Sequence, residues 1–220
     1  MNRITVFDKE FMLHIPLLIT PEMEACPYVV VNGKFTRQVT AYYSLQGDLL
    51  EAQAMIFYLK ENPVIPMVVK ASMFKAFIAQ YAKCFTSAKG RKVKLEPGAV
   101  FSKQEDLLEI HKEVMDIRHN YIAHAGEGKY EYGAMVVHLN PDFSNPLLVG
   151  SIYAELKFMD HSRKLSGYDD LCKIALEYVK SKLEKLFPSY DKALDSMDLQ
   201  ELYSKSKTPK RKDWNLTTLK

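Results

Sequence analysis

The sequence predicts a mainly α fold, a four-helix bundle carrying an inserted β-hairpin, and three observations carry that expectation. Four segments repeat apolar residues every three to four positions. Between the third and fourth, the apolar period drops to two. Finally, 47% of the 220 residues are hydrophobic, ample for a buried core, while 26% are charged.

Residues 1–35 read as irregular, with short strands expected in RITVF (3–7) and PYVVVNG (27–33). Asn32-Gly33 marks a turn before the first helix, expected over 36–61. Its stripe is Val39, Tyr42, Leu45, Leu49, Ala52, Ile56 and Leu59, and Pro63 stops it. The second helix starts near Pro66 and places Met73, Phe74, Phe77, Ile78, Tyr81, Ala82 and Phe85 on one wide face. The third opens on Ser102 as N-cap with Glu105 three residues on, a capping-box pattern. It carries Leu107, Ile110, Val114, Ile117 and Tyr121, and Gly126 can close it. A hairpin follows over about 132–158, alternating Met135, Val137 and Leu139, then Ile152, Ala154, Leu156 and Phe158, with PDFSNP as its turn. The fourth helix, 167–187, shows Leu171, Ile174, Ala175, Tyr178, Val179, Leu183, Leu186 and Phe187 and ends before Pro188. A short helix is expected within 191–204. The organisation is one domain, 1–204, and a basic flexible tail, 205–220.

A formal charge of +3 does not by itself mark a nucleic-acid binder. Cys26, Cys84 and Cys172 are odd in number and widely spaced, which excludes a simple disulfide framework or a cysteine zinc site and suits a reducing compartment. They read as small buried hydrophobes. Asp8, Lys9 and Glu10 interrupt the N-terminus before a secretory apolar run develops, and FMLHIPLLI (11–19) is too short to span a bilayer. The expectation is a soluble, cytoplasmic protein with no membrane partner.

One stretch concentrates chemistry: IRHNYIAHAG, 117–126, at the end of the third helix. At about 100° per residue, Asn120 and His124 share a face, whereas Arg118 and His124 lie roughly 120° apart and flank the apolar stripe. Two copies packed stripe to stripe would form a groove edged by two arginines and two histidines. Guanidinium grips phosphate through paired donors, and imidazole moves protons near neutrality. RNA brings its own nucleophile, the 2′-hydroxyl, so arginine and histidine form a minimum set for cutting it. The structural reading stands beside this one. A late-helix histidine favours the macrodipole, and Arg118 could simply pair with Asp116 or Glu113.

RHNYIAH resembles the signature of the HEPN superfamily, an arginine, an adjacent polar residue and a histidine after four to six positions. Here Arg118 and His124 have five between them. YIAHA is similar to abortive-infection-type HEPN proteins. The resemblance implies a four-helix HEPN-like bundle acting as a metal-independent endoribonuclease, with its site at a homodimer interface and no cofactor. It implies that Arg118 holds the scissile phosphate and His124 transfers protons, leaving 2′,3′-cyclic phosphate and 5′-hydroxyl ends. His119 stands where the family most often has asparagine or aspartate, so His119, Asn120 and Tyr121 are supporting candidates. Many relatives serve phage defence or toxin–antitoxin systems, some with a nucleotidyltransferase-type antitoxin, and others only bind.

Two basic clusters could guide RNA. KGRKVK supplies Lys89, Arg91, Lys92 and Lys94; the tail supplies Lys205, Lys207, Lys210, Arg211 and Lys212, with Trp214 to stack on a base. Both clusters can equally be solvated surface. His111 reads as a packed residue. His138 and His161 sit near strand ends, and no histidine pair has zinc spacing. With nine glycines and no Gly-x-Gly-x-x-Gly or Walker loop, dinucleotide and P-loop enzymes are poor candidates.

Overall fold

A computed structural model describes residues 2–8, 13–20, 24–31, 33–87, 90–122, 131–138, 147–156, 164–210 and 214–215. The fold is mainly helical. The chain forms two compact units, Met1–Arg37 with Phe187–Lys220, and Gln38–Leu186.

The larger unit is built on long helices whose apolar stripes meet. Helix α1 (Lys34–Glu61) buries Leu45, Leu49, Ala52, Ile56 and Leu59. Its end is closed by Asn62, whose backbone N–H and side-chain amide both donate to the Tyr58 carbonyl. Helix α2 (Met67–Phe85) buries Phe74, Phe77, Ile78, Tyr81, Ala82 and Phe85. After Thr86 the chain turns back, and the Leu95 N–H donates to the Cys84 carbonyl at 2.8 Å. A single helical turn, α3 (Pro97–Val100), starts with proline at its first position.

Helix α4 (Glu105–Ile117) begins later than the capping-box pattern predicts. Its N-cap is Gln104, with no side-chain cap bond. Val100 and Phe101 are buried, and the Gln104 N–H donates to the Phe101 carbonyl, so Ser102 is held in the turn between α3 and α4. Glu105 and Asp106 in the first turn still complement the helix dipole.

Helix α5 (Leu165–Asp195) runs straight past its expected end, with Pro188 inside it. Proline costs a helix one hydrogen bond and a steric clash, but good helix formers on either side carry the chain through. Its buried face, from Tyr168 through Leu171, Cys172, Ala175 and Val179, ends at Leu183, well before that proline. A Cβ on Gly167 would stand 2.7 Å from Ile110 Cδ1, so glycine there permits the close approach of α5 to α4.

Aromatic rings join these helices. Tyr168 lies 5.4 Å from both Phe74 and Phe77, and Phe85 lies 4.5 Å from the His111 ring, centroid to centroid. Two buried carboxylates tie α1 to the rest. Asp48 accepts from Lys83 at 2.8 Å and pairs with Arg91. Asp169 accepts from Gln53 at 3.0 Å, Lys60 at 3.1 Å and Lys173 at 2.9 Å. Burial alone would raise the Asp169 carboxyl, but those three donors outweigh it and hold it below the ordinary aspartate range.

Strands β3 (Glu131–His138) and β4 (Leu147–Leu156) pair antiparallel, Met135 opposite Ile152, with an irregularity at Val137/His138. Leu139, Phe158, His161 and the PDFSNP turn lie outside the described residues.

In the smaller unit, β1 (Asn2–Asp8) contains the expected RITVF strand and pairs antiparallel with β2 (Leu13–Ile19). The second strand thus falls earlier than PYVVVNG, where Tyr28 makes one isolated bridge to Lys207. Pro16 does not exclude β2, because β2 is an edge strand in the order β2-β1-β5. The third strand, β5 (Trp214–Asn215), and the Lys207 bridge involve parts of the segment expected to be a tail. Within 191–204, helix α6 (Leu199–Ser204) is capped by Asp198, which accepts from the Gln200 N–H at 2.9 Å.

Candidate functional site

The histidine-rich segment begins where α4 stops being an α-helix. His111, Val114 and Ile117 form the buried face of α4, which packs on α2. Arg118 keeps α-helical angles, and its N–H is shared between the Val114 and Met115 carbonyls. From Arg118 to Ile122 the backbone then widens into a π-helical turn. Such turns are rare, and they occur often at functional sites because the wider loop re-aims side chains. The ideal-helix angular count therefore does not hold across 118–122.

Arg118 is half-buried, and among the described residues no carboxylate or carbonyl binds its guanidinium. The ion pairs available on paper are otherwise engaged. Glu113 accepts from Lys164 at 2.7 Å through both oxygens, and Asp116 accepts from the Asn120 amide at 2.5 Å. His119 and Asn120 are exposed. Tyr121 is half-buried, with the Lys75 ammonium 5.0 Å above its ring. His124 lies outside the described residues, as does Gly126.

Lys75 is the residue sequence reasoning missed. It stands on the exposed side of α2, more than forty positions before the motif, and no local pattern links the two. It adds a cation and an aromatic ring to the turn that holds Arg118. On another side of α4, Glu109, Lys112, Glu113, Asp116 and Lys164 line an open groove of about 760 Å³, where Lys112 pairs with Glu109 and Lys164 with Glu113.

The loop cluster divides. The Arg91 side chain is only 9% exposed and pairs with Asp48, so its charge stabilises the fold. Lys94 pairs with Glu96 at 3.2 Å. Lys92 is exposed, with φ at 58°, a left-handed backbone rarely adopted by lysine. Lys89 is outside the described residues. In the C-terminal cluster, Lys205 pairs with Glu201 and Lys210 is exposed, while Arg211 and Lys212 are outside the described residues.

His111 is a core residue. It is 4% exposed, its Nδ1 lies 2.9 Å from the Tyr81 hydroxyl, and burial pushes its pKa down to about 4. The neutral ring is no proton donor to solvent at pH 7. Burial likewise pushes the Cys84 thiol up to about 12 and raises Cys172, which leaves both sulfurs unreactive. Among the described residues, no cluster of three or more His, Cys, Asp or Glu could hold a metal ion. No described helix is long and apolar enough to cross a membrane. No protein-family model, curated protein or solved structure matches this chain.

Proposed function

We propose that the chain is a HEPN-like, metal-independent endoribonuclease. The observation that carries the reading is Arg118, a half-buried guanidinium without a carboxylate partner among the described residues, in a π turn continuous with His119, Asn120 and Tyr121. A fold that neutralises Asp48 and Asp169 with several donors each leaves this cation available to an anion from outside. Phosphate fits it. The Lys75–Tyr121 pair suits the same ligand, with a cation for a neighbouring phosphate and an aromatic face for a base.

In this reading the α4 ends of two protomers come together in a homodimer within a four-helix HEPN-like bundle, the β3–β4 pair being an insertion. Arg118 holds the scissile phosphate and neutralises charge as it develops. His124 exchanges a proton with the 2′-hydroxyl or the leaving 5′-oxygen. The products are a 2′,3′-cyclic phosphate and a 5′-hydroxyl. A cytoplasmic role in phage defence or a toxin–antitoxin pair, with a nucleotidyltransferase-type antitoxin, belongs to the same proposal. A non-catalytic RNA- or nucleotide-binding module is the second reading, favoured by His119 in place of the family's usual asparagine or aspartate.

The test is cleavage of single-stranded RNA in EDTA, with product ends identified. His124→Ala is expected to lose at least ~100-fold in rate, the scale of general acid–base catalysis, with unchanged thermal unfolding. Cleavage at the wild-type rate by His124→Ala removes the catalytic assignment. Binding without turnover by the wild type leaves the module.

A further inference from the structure

Helix α1 is apolar on two opposite faces, and the described residues bury only one of them. Leu45, Leu49, Ala52 and Ile56 point into the core and are wholly buried. Half a turn round the helix, Tyr43, Leu50 and Phe57 are 50%, 51% and 59% exposed. They recur every seven residues, with Gly47 and Ala54 between them and Glu61 after them at alternate steps of four and three, and these three are exposed. At about 100° per residue these six positions stay within a stripe roughly 80° wide. That is the spacing of a helix–helix seam.

Gly47 sharpens the pattern. Glycine in the middle of a helix is unfavourable relative to alanine. Nothing among the described residues requires it here, because a Cβ at Gly47 would meet none of their atoms within 4 Å. The notch it leaves faces outward, as does that of Ala54.

We infer that this stripe is a self-association surface, on which α1 packs antiparallel against α1 of a second copy of this chain. The stripe is complementary to its own reversal. When Leu50 faces the partner's Ala54, Phe57 faces the partner's Gly47 and Tyr43 faces the partner's Glu61. Each large apolar side chain enters a notch, and each Tyr43 hydroxyl can donate to a carboxylate. Small residues opposite large ones allow the ~8–10 Å axial separation of packed helices. Flanking Tyr58, 44% exposed, extends the apolar surface on the same side of the helix. The inference does not rest on the nuclease reading, which concerns α4 and its π turn.

Light scattering of the full chain decides it. The wild type is expected at an even multiple of the 25.3 kDa protomer. Leu50→Glu, which sets carboxylates on the two-fold seam, is expected to halve that mass. Gly47→Leu fills the notch without touching the protomer's own packing and is expected to do the same while retaining full helicity by circular dichroism. A monomeric wild type overturns the inference, as does retention of the wild-type mass by either variant in its folded form. Should Leu50→Glu not fold, Gly47→Leu decides alone. Under oxidation, the pair Leu50→Cys with Ala54→Cys is expected to form crosslinked dimers. Equal crosslinking by Leu50→Cys alone overturns the antiparallel register. Arg118→Ala, a test of the nuclease reading, leaves the mass unchanged.

Discussion

Arg91 and Arg118 are both half-buried arginines, yet the fold treats them differently. Arg91 reaches Asp48, a carboxylate also held by Lys83, and its charge is consumed in stapling the loop after α2 to α1. Arg118 has no such acid among the described residues, although Glu113 and Asp116 stand within the preceding two turns. The same side-chain type therefore means different things in the two places. The Arg91 guanidinium is architecture, whereas Arg118, without an acid partner among the described residues, is the group to which the proposed function assigns phosphate.

The sharpest way to break that comparison is to remove each in turn. Arg118→Ala is expected to abolish RNA cleavage, by ~100-fold or more, with a melting temperature near the wild type's. Arg91→Ala strips one of two cations from a buried carboxylate and is expected to destabilise the fold by about 2–4 kcal/mol, lowering the melting temperature by roughly 5–15 °C. If calorimetry shows the reverse order, the assignment of roles is inverted.

A pH titration separates His111 from the histidines of the motif. Histidine in the unfolded chain titrates near 6.5 and folded His111 near 4. Between those values the unfolded state binds the extra proton, so stability falls as pH drops through the window, by about 3 kcal/mol in total. Asp169 leaves the window clear, because its donors hold it ionised to lower pH. Denaturant unfolding at pH 7 and pH 4.5 should show the loss in the wild type and little of it in His111→Gln. The smallest effect belongs to Lys92. Lys92→Gly relieves a left-handed backbone and is expected to stabilise the protein by up to about 1 kcal/mol, or to weaken RNA retention on a filter if that lysine contacts phosphate.

Much of the core was readable from spacing alone. Six of the seven residues assigned to the α1 stripe are buried and Tyr42 half-buried, and in α2 only Met73 stands outside the buried set. Periodicity succeeds there because burial is set by direction around a helix axis. It could not find Asp48 or Asp169, polar residues whose burial depends on partners far along the chain. Local rules also misplaced three boundaries. Ser102 looked like a cap but belongs to the α3–α4 turn, Pro188 looked like a stop but is carried inside α5, and the second N-terminal strand was expected at 27–33 but lies at Leu13–Ile19. At the site, the composition of 117–126 was visible, whereas the π turn was not, since nothing in RHNYI distinguishes it from an α-helical ending.

The Asp169 cluster also bears on the time course of folding. Its contacts to Gln53 and Lys60 span 116 and 109 residues of chain. Closing loops that long is entropically slow, so these bonds form after local helices have already condensed. Interactions absent from the transition state act as brakes on escape from the native basin. Loss of Asp169 is accordingly expected to quicken unfolding far more than it slows refolding, which ties the lifetime of the native chain to this one carboxylate.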